Sequence, residues 1–280
     1  MNPTAYLEHW KLTKKPFQNT PDPEFFYKSE QHQEALSRLL VTVLEQYGAA
    51  MLTGTYGCGK TALIQVLLAE LKEKRCQTAL ISNPPQTYPA LLRGIVRQLR
   101  GGEGLPAEAT DQTIDFFLER LEDILKNNSR DRTETLIIID EAHTLTNPQT
   151  LDGLRRLLNF QQADQFLLTL ILVGQPELEQ IIANLKPLAQ RIAMTARLDA
   201  MTSNDTKGYL WHRLQQAGAE KNMFSDAAVT LLHQRSGGIP RRLNHLAELS
   251  LLLGAHQELQ TIEPAFIKGE VFDQEEAGTR

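Results

Sequence analysis

The sequence predicts an α/β protein, a three-layer αβα sandwich built on a parallel sheet, followed by a small all-helical domain. Two patterns predict it: short apolar runs alternate with amphipathic helical segments up to about residue 200, and only helical segments follow. The 280 residues, 41% of them hydrophobic and 22% charged, suit one large or two small globular domains. The formal net charge of -5 does not indicate nucleic-acid binding.

These patterns also predict the domain boundaries and the cellular location. We expect an N-terminal linker over 1–28, an αβα domain over 29–200, a helical domain over 201–272 and a flexible tail over 273–280. No run approaches the ~20 apolar residues of a membrane span, so no transmembrane segment is expected. The two cysteines have no metal-binding spacing, which agrees with a reducing compartment. The sequence therefore predicts a cytoplasmic location.

The elements follow in order from an aromatic, proline-punctuated N-terminal segment that we interpret as an ordered linker. Ser29 is the expected N-cap of a helix that runs to about Tyr47 and stops at Gly48. The strands are expected at 49–53, 78–82, 136–139, 167–173 and 192–198. Further helices are expected from 61 onward and at 88–99, 111–125, 149–158, 204–216, 225–235, 240–253 and 264–272.

The most specific motif is a glycine-rich loop between the first strand and the helix after it. It fits G-x-x-x-x-G-K-[ST] at every fixed position, with the residues Gly54, Thr55, Tyr56, Gly57, Cys58, Gly59, Lys60 and Thr61. Glycines let successive backbone N–H groups turn toward a phosphate, and the following helix N-terminus adds to that anion site. Lys60 is expected to reach the β- and γ-phosphates, and Thr61 to ligate Mg²⁺. Ala62 completes the nucleotide-binding set that this motif predicts.

Cys58 lies inside this loop and has two interpretations. A thiol near a helix N-terminus can have a lowered pKa, which would suit a redox or alkylation switch. The sequence favours the other interpretation, a small residue that packs at a variable loop position.

A second motif follows the apolar strand at 136–139, which ends in two carboxylates. Asp140 is expected to hold Mg²⁺ through its water shell, and Glu141 to polarise the water that attacks the γ-phosphorus. Hydrolysis rather than binding alone is therefore predicted. Residues 140–143 also spell the DEAH box of certain helicases, but the helical residues after 200 are too few for a second motor domain. His143 is interpreted as a local hydrogen-bonding residue.

Several further segments resemble the AAA+ ATPases and, within them, the ExeA/GspA-like (general secretion pathway protein A) group, near the origin-recognition and MuB/TniB transposition ATPases. The resemblance rests on YLEHW at 6–10, PF at 16–17, TPDPEFFY at 20–27, LVGQPEL at 172–178 and SGGIPR at 236–241. It implies the P-loop AAA+ fold with a helical lid. It also implies ATP and Mg²⁺ as ligands, and hydrolysis of ATP to ADP and phosphate.

The resemblance also implies roles for individual residues. Gln175 falls where the superfamily has its first sensor, although many relatives have Asn there, and Arg241 falls at the second sensor. Arg191 resembles the arginine finger that enters a neighbouring subunit's site, which implies a homo-oligomer with ATP at subunit interfaces. The aromatic residues at 25–27 are candidates for the adenine pocket, with core packing as the alternative.

The biological role implied by the group is assembly or remodelling of a cell-envelope export system of secretin, pilus or exopolysaccharide type. Export components would be partners, and could hold the chain peripherally at the inner membrane. The alternative is a DNA-binding oligomeric ATPase of the MuB/TniB type. Arg93, Arg97 and Arg100 are spaced to share one helix face, although a solvated face is the favoured interpretation. A nucleotide switch that scarcely hydrolyses ATP is a third interpretation, and Glu141 argues against it.

Overall fold

The chain forms two compact units, one built on a sheet and one made of helices. The computed structural model describes residues 5–20, 22–101, 114–163 and 165–268. The sheet unit comprises the described residues of Glu30–Tyr56 and Val66–Leu198. The helical unit comprises the described residues of Met1–Ser29, Gly57–Gln65 and Asp199–Arg280. The expected tail over 273–280 lies outside the described residues.

The secondary structure contains the following elements. The strands are β1 Ala49–Gly54, β2 Cys76–Ile81, β3 Glu134–Ile139, β4 Gln161–Gln162, β5 Gln165–Phe166, β6 Thr169–Gly174 and β7 Ile192–Leu198. The helices are α1 Ala5–Trp10, α2 Glu30–Leu44, α3 Lys60–Lys72, α4 Tyr88–Leu99, α5 Ile114–Arg130, α6 Pro148–Leu157, α7 Glu177–Asn184, α8 Lys186–Ala189, α9 Ser203–Gln216, α10 Asp226–Ser236, α11 Pro240–His256 and α12 Pro264–Phe266. Two 3₁₀ helices lie at Pro23–Phe25 and Ala142–Thr144.

Five parallel strands form the sheet, in the order β2-β3-β6-β1-β7. Strands β1 and β6 are buried along their whole length, because a parallel sheet is covered on both faces. Apolar side chains from the sheet and from α4 to α8 form one continuous core. The predicted α/β fold with a parallel sheet and a helical C-terminal region is confirmed.

The helical unit has its own core, to which the N-terminal segment contributes aromatic side chains. Tyr6, Trp10 and Phe17 are buried with apolar residues of α9, α10 and α11. The indole N–H of Trp10 donates to the carbonyl of Leu251 at 2.8 Å. Helix α9 begins with a capping box, in which the Thr202 side chain and the side chain three residues later bond each other's backbone N–H groups. The N-terminal segment, which the sequence predicted as an ordered linker, thus packs as part of this unit.

Helix α2 ends earlier than expected, and the expectation that Gly48 stops it was wrong. Its last helical residue is Leu44, and Gln46 adopts a left-handed φ of 53°. The N–H of Tyr47 then donates to the carbonyl of Thr42 at 3.0 Å, which closes the helix end. Gln46 therefore adopts the left-handed conformation that ends the helix, two positions before Gly48, where the sequence predicted the end. Residues 111–113 of the expected helix at 111–125 and 269–272 of the last expected helix lie outside the described residues.

Candidate functional site

The phosphate loop runs from Gly54, at the end of β1, to Lys60, at the start of α3. Gly57 and Gly59 have φ values of 83° and 103°, which residues with a Cβ rarely adopt. A Cβ on Gly57 would lie 2.8 Å from the Cβ of Arg241, so the site also lacks room for one. Backbone of this kind can present several N–H groups to one anion. The local geometry therefore suits phosphate binding.

The side chains of the loop differ in how far solvent reaches them. Lys60 is buried at 6% exposure, whereas Thr55, Tyr56 and Thr61 are exposed. Cys58 is buried, and this burial raises the pKa of its thiol although the charge of Lys60 acts in the opposite direction. The prediction of a lowered pKa for the Cys58 thiol, which the sequence allowed, is therefore wrong. The packing interpretation of Cys58 agrees with the structure.

Arg241 lies in the first turn of α11 and contacts the phosphate loop within the helical unit. Its backbone N–H donates to the carbonyl of Gly57 at 3.3 Å. Pro240 occupies the first helical position, where the missing N–H costs no hydrogen bond. Gly238 has a φ of 69°, and a Cβ there would lie 2.3 Å from the carbonyl oxygen of Met201. The turn before α11 is thus fixed by backbone contacts, and it holds Arg241 beside the loop.

Two carboxylates follow β3 in the sheet unit. Asp140 is 6% exposed, and its backbone N–H donates to the carbonyl of Ile81 on β2 at 2.9 Å. One carboxylate oxygen of Asp140 accepts the N–H of Glu141 at 2.9 Å. Glu141 has φ 54° and ψ 33°, a left-handed conformation that is uncommon for a residue with a Cβ. Asp140 is thereby held at the strand end, and Glu141 presents a carboxylate that is 35% exposed.

His143 and Gln175 meet beside these carboxylates. The backbone N–H of Gln175 donates to Nδ1 of His143 at 3.3 Å, and Nε2 of His143 lies 3.5 Å from Oε2 of Glu141. The local hydrogen-bonding interpretation of His143 is confirmed. Within the described part of the chain, the side-chain amide of Gln175 has no hydrogen-bond partner. That amide is half-buried and available to a ligand.

The strand register brings the candidate residues of the sheet unit to one edge. Thr53 pairs with Gly174, and Ile139 pairs with Leu172, all in parallel strands. The residues that follow β1, β3 and β6 therefore leave the sheet at the same end. These residues are Thr55 and Tyr56, which open the phosphate loop, the two carboxylates and Gln175.

A hydrogen bond that the sequence did not predict joins two segments at this edge of the sheet. The buried hydroxyl of Thr53 donates to Oε1 of Glu179 on α7 at 2.6 Å. The residue just before the phosphate loop is thereby joined to the helix that follows Gln175. Neither residue belongs to a motif, and the two are 126 positions apart, so no local signal could have paired them.

The candidate arginine finger and the aromatic candidates for the adenine pocket form contacts within the chain. Nη1 of Arg191, the candidate arginine finger, donates to the carbonyl of Leu158 at 2.7 Å. Phe25 is buried in the helical unit, and the Tyr27 ring packs edge-on against Tyr209 with centroids 6.2 Å apart. These contacts favour core packing for Phe25 and Tyr27. They leave the adenine pocket unassigned.

Two features are absent from residues 5–20, 22–101, 114–163 and 165–268. No group of three or more His, Cys, Asp or Glu side chains in these ranges is arranged to hold a metal ion. No helix in the same ranges combines the length and the apolar character that a membrane crossing requires.

The fold and the loop geometry define the class of protein: a phosphate-loop nucleotide-binding fold followed by a helical region. A family model described as "AAA domain" matches residues 43–182, half of the sequence. The chain therefore belongs to the AAA domain family.

Individual relatives agree with this family. The chain is 34% identical over 249 residues to General secretion pathway protein A of Aeromonas hydrophila, covering 88% of this chain. It spans only 44% of the length of that relative. It is 26% identical over 258 residues to an ORC1-type DNA replication protein of Halobacterium salinarum, covering 84% of this chain and 76% of the relative.

The fold is also similar to that of a solved origin-recognition protein. The ORC2 protein of Aeropyrum pernix, solved as ADPNP and ADP complexes, matches with a TM-score of 0.68 and 19% identity. The match covers 92% of this chain and 71% of that structure. The chain thus has the AAA+ fold and is similar to both the secretion protein and the ORC1-type DNA replication protein.

Proposed function

We propose that this chain is an ATPase that binds ATP with Mg²⁺ and hydrolyses it to ADP and phosphate. One observation carries the proposal: the phosphate loop, Asp140, Glu141 and Gln175 all follow parallel strands that end at one edge of the sheet. Ligands of open parallel sheets bind outside these carboxyl ends. The adenine nucleotides named for the Aeropyrum pernix ORC2 structure support ATP as the ligand.

The loop residues fit the phosphates of such a nucleotide. The positive φ of Gly57 and Gly59, and the absence of room for a Cβ at Gly57, suit a backbone cradle from Gly54 to Ala62. Lys60 would pair with the β- and γ-phosphates. The oxygens of Thr61 and Asp140 are ligands of the hard type that Mg²⁺ prefers, with Asp140 acting through water. When bound, Mg²⁺ neutralises charge on the phosphate oxygens.

The remaining residues act on the water and on the helical unit. Glu141 orients and polarises the attacking water, because its carboxylate is accessible while its backbone is fixed by Asp140. The amide of Gln175, which has no partner among the described residues, contacts that water or the γ-phosphate. Arg241 responds to the γ-phosphate, and we propose that helices α9 to α11 act as a lid that follows it.

Replacement of the proposed base tests hydrolysis. Glu141→Gln keeps the size and the hydrogen-bonding capacity of the side chain but removes its charge. We expect kcat to fall by about 100-fold or more, with the Kd for ATP changed by less than about twofold. Glu119→Gln, which neutralises an exposed carboxylate on α5, is the matched control and should hydrolyse ATP at the wild-type rate. Equal turnover in wild type and Glu141→Gln would mean that Glu141 does not act as a base.

For the biological role, we propose assembly or remodelling of a cell-envelope export system. The support is the identity to General secretion pathway protein A, of which this chain corresponds to less than half. In this proposal the ATPase is cytoplasmic and is held at the inner membrane by export components. Deletion of the gene should prevent assembly of the export channel or pilus, and the wild-type gene should restore it. Complementation by Lys60→Ala or Glu141→Gln at wild-type efficiency would contradict an ATP-driven role.

A second candidate role is DNA binding, and one observation on α4 favours it. Arg93 and Arg97 lie one turn apart on α4, and Arg100 follows its last residue; all three are exposed and form no ion pair with any described residue. The similarity to an ORC1-type DNA replication protein supports the same role. Three guanidinium groups that pair with no described residue would contact phosphates of a duplex.

A salt titration with matched variants tests the DNA-binding role. If DNA binds here, replacing all three arginines by Gln should weaken duplex binding and lower its salt slope by about 0.9 for each phosphate that is no longer neutralised. Replacing three exposed lysines elsewhere, Lys11, Lys186 and Lys221, removes the same charge and should have a much smaller effect. Absence of DNA-stimulated ATPase activity at low salt would exclude this role.

A further inference from the structure

The imidazole of His143 joins two parts of the candidate site that the sequence treats separately. Its Nδ1 faces the backbone N–H of Gln175 at 3.3 Å, and its Nε2 faces the Glu141 carboxylate at 3.5 Å. The ring is well covered, with 15% of the side chain exposed. It therefore bridges the segment after β6 and the segment after β3.

The hydrogen bond from Gln175 decides which ring nitrogen carries the proton. A backbone N–H can only donate, so Nδ1 must be the unprotonated acceptor. In the neutral ring the proton then lies on Nε2, the nitrogen that is 3.5 Å from the Glu141 carboxylate. The Gln175 backbone thereby sets the tautomer that Glu141 meets.

The backbone around the histidine leaves little freedom for this arrangement. His143 lies within the 3₁₀ helix that Glu141 caps, and the carbonyl of Glu141 accepts both the N–H and the hydroxyl of Thr144, at 2.9 and 2.8 Å. A Cβ added to Gly174 would lie 3.3 Å from the backbone nitrogen of His143. The ends of β6 and of the 3₁₀ helix are thus packed closely, so the imidazole is placed by both.

We propose that His143 is a positioning residue that aligns the Glu141 carboxylate and couples its orientation to the position of Gln175. The inference rests on the proposed function, in which Glu141 polarises the attacking water. A displacement of Gln175 would move Nδ1, and through the rigid ring it would move Nε2, which lies 3.5 Å from the Glu141 carboxylate.

Three substitutions of His143 test the contacts of its two ring nitrogens separately. Asn places an acceptor near the position of Nδ1 but cannot reach Glu141, whereas Gln places a donor near the position of Nε2. Ala removes both. We expect His143→Ala and His143→Asn to lower kcat by about tenfold with the KM for ATP changed by less than about twofold. His143→Gln should recover most of the loss.

Two further measurements distinguish positioning from a structural effect. In the Glu141→Gln background, His143→Ala should cause no additional loss, because the group it positions is already absent. In the nucleotide-free protein, ¹⁵N shifts of the imidazole should report the Nε2–H tautomer, and Glu141→Gln should shift the Nε2 signal. The chain has seven histidines, so the signal is assigned by its loss in His143→Gln. His256→Ala, at an exposed position, is the control for kcat.

Different results would contradict the positioning role of His143 and the proposed role of Glu141. Wild-type turnover in His143→Ala, an Nδ1–H tautomer, or equal loss in the Gln and Ala variants would each overturn the positioning role while the effect of Glu141→Gln stands. Turnover that is unaffected by Glu141→Gln would instead remove the proposed base, and the positioning role with it.

Discussion

Two features of the structure disfavour a Cβ at Gly57. Its φ of 83° is unfavourable for any residue with a Cβ, and the position that a Cβ would occupy lies 2.8 Å from the Arg241 Cβ and 3.2 Å from a methyl of Ile239. Neither neighbour is the far end of a flexible side chain, so the backbone of the loop or of α11 would have to move. The contact from the Arg241 N–H to the Gly57 carbonyl depends on that close approach.

Gly57→Ala should therefore weaken nucleotide binding more than backbone strain alone would. We expect the Kd for ATP, measured by calorimetry, to rise by at least about tenfold because loop and helix separate. Gly237→Ala is the matched control: it also has a positive φ, 62°, but an added Cβ meets nothing within 4 Å. It should cost about 1–2 kcal/mol of folding stability and leave the Kd unchanged. The same Kd in both variants would contradict a role for the Gly57–Arg241 contact.

How far the site could be predicted depended on how local each contact is. The phosphate loop and the two carboxylates were predicted because each motif is contiguous and lies next to an apolar strand. The bond between Gln175 and His143 joins residues 32 positions apart, and the left-handed turn at Glu141 follows a strand without a glycine. Such features depend on strand register and on tertiary packing, so spacing alone could not indicate them.

At the scale of elements, helix α9 is joined to the N-terminal segment by one buried arginine. Arg213 is 7% exposed, donates to the carbonyls of Pro16 and Gln18, and stacks over the ring of Phe25 with its guanidinium carbon 5.2 Å from the centroid. A third N–H group contacts the hydroxyl of Tyr209 at 3.0 Å. The guanidinium is stabilised by carbonyl dipoles and aromatic faces, and it satisfies two carbonyls of a segment that has little regular structure.

Removing this arginine should loosen the N-terminal segment. Arg213→Met keeps an apolar stem but leaves two carbonyls unbonded, so we expect the free energy of unfolding to fall by about 2–4 kcal/mol. Both tryptophans, Trp10 and Trp211, lie in the helical unit, so urea unfolding followed by tryptophan fluorescence reports on it. Arg242→Met, at an exposed position, should change stability by less than about 0.5 kcal/mol. Equal stability of the two variants would mean that Arg213 does not join the segment to α9.

The elements that the sequence predicted best have a long, one-sided apolar pattern. Helix α4 was predicted at 88–99 and occurs at Tyr88–Leu99, with six buried side chains along one face. The helices that the sequence did not predict are short: α1 has 6 residues, α8 has 4, and α7 has 8 with two buried side chains. A period of 3.6 residues cannot be recognised over so few positions, and tertiary contacts stabilise these helices instead.

At the scale of the whole molecule, the proposed oligomer depends on Arg191. One N–H group of its guanidinium is bonded to the Leu158 carbonyl at the C-terminal end of α6, in the same chain. A guanidinium has five N–H donors in a rigid fork. One bond therefore orients the group and leaves the other donors for a phosphate of a neighbouring subunit. The intramolecular bond is thus compatible with the proposed role in trans.

Mixing two inactive variants tests that role. Arg191→Ala alone should lower kcat by about 10³-fold if the finger acts, and Lys60→Ala should be inactive because its own site is lost. In a 1:1 mixture, about one interface in four combines an intact site with an intact Arg191, so a comparable share of the activity should return. Mixing Lys60→Ala with Glu141→Gln is the control and should restore nothing, since every intact loop then lacks its base. Failure of the first mixture to recover activity, with both variants folded and assembled, would show that Arg191 does not act across subunits.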